Sequence, residues 1–143
     1  MLLVGLGLGV GACRHPGEGN ALGHAAQITR AVEMLRLSSN HDKGLWLKRL
    51  HELPCGAVDL CELQKTCASA YDVYQSAVAS IAVVRRNLEP PSADAMAPDA
   101  SAEAFLQAAA QAQSAQRALA KSRQMMQECA ENEAAVRQRY KIR

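Results

Sequence analysis

From Ser101 to the C-terminus about forty residues pass without a glycine or a proline, in a stretch dense in Ala, Gln, Glu, Arg and Met. These residue types lose least on entering a helix, and nothing in the run offers a place to stop one. A stripe with steps of three and four runs through Phe105, Ala108, Ala112, Ala115, Leu119, Ser122, Met126, Cys129, Glu133, Val136 and Tyr140, which predicts one helix over 101–140. A second long segment precedes it. Asp59 and Glu62 have capping-box spacing and Pro90-Pro91 is a stop, predicting a helix over 60–89 with its stripe at Leu60, Gln64, Cys67, Tyr71, Tyr74, Val78, Ile81 and Leu88. The segment between the two, rich in Pro, Ala, Ser and Asp, reads as a loop, so the two helices form an antiparallel hairpin.

The N-terminal part reads as a small helical corner. Asn20 is a candidate cap for a helix over 21–37 carrying Leu22, Ala25, Ala26, Ile28, Val32 and Leu35, and Asp42 for one over 42–53 carrying Leu45, Trp46, Leu50 and Leu53. Pro54 and Gly56 close the second. No alternation of β-branched residues appears, so the fold class is all-α: a long hairpin packed with one or two shorter helices, forming a single domain over 24–143. Hydrophobic residues make up 49% of the chain, but many are alanines, with one Phe, one Trp and three Tyr. The core is therefore thin, and thin cores need staples.

Cysteines stand at 13, 55, 61, 67 and 129. In an exported chain Cys55, Cys61, Cys67 and Cys129 read as two disulfides. Helical rise gives a register test for the bridge across the hairpin. Cys129 lies ~43 Å from a helix start at Ser101, Cys61 ~42 Å from a helix end at Glu89, and Cys67 ~33 Å from that end. Register thus prefers Cys61 with Cys129, leaving Cys55 with Cys67. The apolar stripe points the other way, to Cys67 with Cys129 and Cys55 with Cys61, and connectivity stays open between the two sets. Either long-range bridge closes a loop of about sixty residues or more, worth on the order of 4 kcal/mol.

The chain opens MLLVGLGLGVGA, then Cys13 and the polar Arg14, His15 and Pro16. Twelve helical residues span ~18 Å, short of the ~30 Å a membrane helix must cross, whereas a signal h-region has this length. The end of the run, Val10-Gly11-Ala12-Cys13, resembles the lipobox of bacterial lipoproteins. The resemblance implies a signal peptide over 1–12, lipidation of Cys13, a tether over 13–23, and a mature domain anchored in a bacterial membrane facing the periplasm or cell surface. It covers the leader alone, and it departs from the pattern of signals in having no Lys or Arg ahead of the apolar run. Gly5, Gly7, Gly9 and Gly11 could suggest a phosphate loop, but the Lys and Ser/Thr that such a loop needs are missing.

Chemistry-bearing constellations are sparse. His15, His24, His41 and His51 are scattered; only His51 and Cys55 share an i, i+4 spacing, and Pro54 breaks that face. No nucleophile elbow or Cys/His pairing free of the disulfides is visible, so no catalytic residue, cofactor or metal is expected. Glu128, Glu131 and Glu133 read as solvated partners of nearby arginines. A net charge of +2 gives no footprint for nucleic acid. Arg137, Arg139, Lys141 and Arg143 end the chain as a basic run, favoured by the helix dipole and a candidate contact for an anionic surface. The expectation is a non-enzymatic envelope lipoprotein acting as a structural or interaction component, with a partner helix or a second copy meeting the Ala-rich face around Ala108 to Ala115. The alternative is a small-ligand or metal-binding module near Trp46, His51 and Tyr71.

Overall fold

The computed structural model describes residues 18–88 and 101–143. The signal, Cys13, the first part of the tether and the loop after residue 88 lie outside them. Among the described residues the chain forms α1 (Glu18–Leu37), α2 (Asn40–Glu52), α3 (Val58–Leu88) and α4 (Ser101–Tyr140), with no strand. The all-α hairpin with two shorter helices is the observed architecture.

Helix starts differ from expectation by a few residues, for local reasons. α1 is already helical at Glu18, the first described residue, so residues 18–23 are helix rather than tether and Asn20 lies within the helix rather than at its cap. α2 is capped by Ser39, not Asp42: the Ser39 Oγ accepts from the Asp42 N–H (3.3 Å) and donates to its carboxylate (2.7 Å), a reciprocal cap one turn earlier. α3 begins at Val58, which puts Asp59 in its first turn. There the Asp59 carboxylate accepts from the Tyr140 hydroxyl at 3.2 Å and pairs with Arg139 at 3.1 Å, joining the start of α3 to the end of α4.

α4 ends in a Schellman turn. Lys141 adopts a left-handed backbone (φ 53°), the Ile142 N–H donates to the Arg137 carbonyl (3.0 Å) and the Lys141 N–H to that of Gln138 (3.4 Å). Ile142 then folds back onto the core, as such turns favour.

The hairpin seam is a row of small residues. On α4 the buried positions Ala108, Ala115, Ser122, Cys129 and Val136 recur every seven residues; on α3 Leu63, Ala70, Ala77 and Val84 do the same, beside Leu60 and Cys67. A seven-residue repeat is what two long helices need to stay in contact along their length. The expected α4 stripe holds except at Phe105, which is exposed. On α3 the distal half of the expected stripe does not: Ile81 and Leu88 are exposed, and Ala77 and Val84 face the seam instead. Small side chains let the backbones approach closely, and the larger residues are left outside.

The disulfides are Cys67–Cys129 (Cα–Cα 4.8 Å) and Cys55–Cys61 (4.9 Å). The preferred pairing of Cys61 with Cys129 and Cys55 with Cys67 is thereby corrected. Measuring from the helix ends assumes that the ends are level. Carried antiparallel along both helices, the Cys67–Cys129 register puts Leu88 opposite Ala108, so residues 101–107 reach about 10 Å past Leu88, the last described residue of α3. That overhang equals the mismatch that had disfavoured Cys67.

The corner packs on the proximal half of the hairpin. Ala25, Ile28, Val32 and Leu35 of α1 and Leu47 and Leu50 of α2 join Leu60, Leu63, Cys67 and Tyr71 of α3 and Cys129 and Val136 of α4 in one core. Leu22 and Leu45, both expected inside, are half or more exposed. Two buried hydroxyls are satisfied within their own helices, that of Thr29 donating to the Ala25 carbonyl (2.8 Å) and that of Ser122 to the Leu119 carbonyl (2.8 Å), whereas the His24 Nδ1 is buried without a hydrogen-bond partner among the described residues. The Gln64 amide caps the end of α2 by donating to the carbonyls of Leu50 (2.5 Å) and Leu53 (2.7 Å).

Candidate functional site

Among the described residues, three of the grooves in this surface differ in the chemistry of their linings. One lies along the distal hairpin, where Ser76, Ser80, Gln111 and Ser114 alternate with Ala77, Val83, Ala115 and Ala118 in a lining of mixed polarity. A second lies beside His51, Gln64, Lys65 and Ser69, where α2 meets α3. The third, of about 380 Å³, lies between α1 and α2. Its walls are Ala26 and Ala31 from α1 and Trp46 and Leu53 from α2, with Gln27, Arg30 and Arg49 at its edges.

Trp46, His51 and Tyr71, expected to frame one site, are not brought together. Trp46 lines the α1/α2 groove. His51 is half exposed on the other side of α2, with its Nε2 3.1 Å from the Asp72 carboxylate. Tyr71 is 5% exposed inside the core, where burial pushes its pKa above 10.0 against the opposing pull of Arg36. Trp46 and His51 are five residues apart, about 140° around a helix, so one faces α1 and the other α3. Among the described residues no three His, Cys, Asp or Glu side chains converge as metal ligands.

The basic C-terminal run is largely engaged within the chain. Glu133, whose side chain is 5% exposed, accepts from Arg137 (2.8 Å) on its own helix and from Arg36 at the end of α1. Arg137 also donates to the carbonyl of Arg143 (3.0 Å), and Arg139 pairs with Asp59. Lys141 and Arg143 keep exposed side chains. Burial of the Tyr140 phenol, with the charge and hydrogen bond of Asp59, raises its pKa above 10.0. Glu133 ties the end of α1 to α4 as a buried carboxylate rather than a solvated surface acid, and Asp59 separately ties the start of α3 to the end of α4.

Ala108 and Ala115 are 4% and 3% exposed because they form the seam with α3. The chain's own α3 thus occupies the Ala108 and Ala115 row of the Ala-rich stretch, while Ala110 stays exposed and Ala109 and Ala112 half-buried. Among the described residues the large exposed apolar side chains fall into two sets: Leu22, Leu37, Leu45 and Val58 on the corner and at the start of α3, and Ile81, Val83 and Leu88 on α3 with Phe105 and Leu106 on α4 toward the distal end of the hairpin. Phe105 and Leu106 lie on the overhang and are 61% and 68% exposed. The α3 stripe could have flagged Ile81 and Leu88; the exposure of Phe105 follows from the register of the disulfide, which spacing left open.

No described helix is long and apolar enough to cross a membrane. Compared with known protein families, curated proteins and solved structures, the chain matches none of them.

Proposed function

We propose that the protein is a non-enzymatic, exported component of a bacterial envelope, tethered through a lipid on Cys13, whose hairpin presents its distal end to a protein partner. The observation that carries this reading is the apolar tip. α1 and α2 pack on the proximal half alone, while Phe105, Leu106 and Leu88 extend beyond them with their side chains half or more exposed. Exposed apolar residues gathered at one end mark an interaction surface more often than scattered ones do. The closed disulfides support an oxidising compartment, and they leave Cys13 as the one cysteine outside the two pairs.

The test is site-specific photocrosslinking in living cells of the native host, with the photoreactive residue at Phe105 or Leu106 and, as control, at the exposed Arg123 in mid-helix. A single adduct of defined mass at 105 and 106 and none at 123 is the expected result, and an adduct of twice the chain mass identifies a second copy as the partner. Equal labelling at all three positions, or none at the tip, contradicts the proposal.

A further inference from the structure

The α1/α2 groove combines walls that are almost wholly apolar with two arginines at its edges, whereas among the described residues the distal groove is of mixed polarity and carries no cation and the groove beside Lys65 is lined mainly by polar side chains. Ala26 and Ala31 leave a gap where larger residues would have packed on the Trp46 indole and Leu53, and Ala31 closes its floor at 2% exposure. The Arg49 guanidinium carbon stands 5.4 Å from the centroid of the Trp46 ring, and Arg49 has no carboxylate partner among the described residues. Arg30 pairs with Glu33 at 3.1 Å, but both side chains are exposed, so the pair is weak and exchangeable. Among the described residues no acid lines the groove. A volume of about 380 Å³ lies within the range of small-molecule sites.

We propose that this groove binds a soluble single-chain amphiphile with an anionic head. The hydrocarbon chain lies against Trp46, Leu53 and the two alanines, and the head group meets the guanidinium groups of Arg30 and Arg49, which suit planar carboxylate and tetrahedral phosphate alike. The site stands independently of the tip, since it is formed by α1 and α2 and uses none of the hairpin's exposed residues.

Trp46 is the only tryptophan in the chain, so its fluorescence reports on this groove alone. The full chain with disulfides intact is titrated below the micellar range with dodecanoate, dodecyl phosphate and dodecanol, and heats of binding are measured in parallel. One saturable site is expected, with at least one of the two anions binding tenfold or more tighter than dodecanol. The better of the two identifies the head group. Arg30→Gln with Arg49→Gln should remove that preference, and Ala26→Phe, at an exposed position on the rim, should block binding while helical circular dichroism and thermal midpoint stay unchanged. Equal affinity for dodecanol, unchanged anion binding in the double arginine variant, or no saturable signal with any of the three would overturn the proposal.

Discussion

The Arg36 guanidinium at the end of α1 and the Glu133 carboxylate on α4 form an ion pair across 97 residues of sequence, with the acid almost fully buried and the arginine half exposed. Arg137 supplies a second cation to the same carboxylate. The asymmetry decides what each substitution costs. Arg36→Ala leaves Glu133 with a partner, so a loss of about 1 kcal/mol is expected. Glu133→Ala leaves two cations facing each other across a small cavity, and about 3 kcal/mol should be lost. A double-mutant cycle by urea unfolding checks the order. If Arg36→Ala proves the costlier change, α1 is held by something other than this carboxylate.

The two disulfides should contribute unequally. Cys67–Cys129 spans 62 residues and Cys55–Cys61 spans 6. In the chain-entropy model these loops correspond to roughly 4 and 2 kcal/mol. Replacing Cys67 and Cys129 together by alanine should therefore lower the unfolding free energy about twice as much as replacing Cys55 and Cys61. Equal losses would mean that the short bridge shapes the native turn as well as the unfolded chain.

Gly56 sits in that turn with φ 66°, and a Cβ there would come within 2.6 Å of the His24 Nδ1. Gly56→Ala should cost about 2 kcal/mol, part from the left-handed backbone and part from the ring it strikes. In a His24→Ala background only the backbone share, about 1 kcal/mol, should remain. The same cost in both backgrounds would show that the ring moves aside freely.

Tyr71 and Tyr140 both have pKa values raised above 10.0 in the folded protein, chiefly by burial, with Asp59 adding to the shift at Tyr140. A raised folded-state value means that the native state keeps its phenol protons where the unfolded chain has begun to lose them. The resulting contribution is complete below the unfolded value near 10 and is lost as the pH rises through the folded-state values. The urea midpoint should be level through neutral pH and fall above about pH 10, with a shallower fall in a variant carrying Tyr71→Phe and Tyr140→Phe. An identical fall in that variant assigns alkaline unfolding to other groups.

Much of the fold was legible because long helices advertise themselves. The absence of breakers after Ser101 set the length of α4, and the three-and-four stripe found Ala108, Ala115, Ser122, Cys129 and Val136. What spacing could not convey was how the two helices slide along each other. A row of small residues repeating every seven accepts several registers, so the stripe offered Cys67 with Cys129 while the level-ends register offered Cys61, and only three dimensions decided between them and exposed Phe105. The Ser39 cap was readable, since Ser39 and Asp42 have the same spacing that singled out Asp59 and Glu62. The Arg36–Glu133 pair and the Gln64 cap on α2 are long-range contacts of residues that read locally as a surface charge and a stripe member. The α1/α2 groove was missed for a related reason: Trp46 was placed correctly on the corner, but the alanines that open space beside it look like good helix formers.

Intact mass of the protein from its native membrane fraction, with and without reduction, tests most directly the proposal of an exported, lipid-anchored chain closed by two disulfides. The mass should match a chain beginning at Cys13 with added acyl groups, and it should rise by about four hydrogens when two disulfides are reduced. An unprocessed chain with free thiols, unchanged in mass on reduction, would contradict the account.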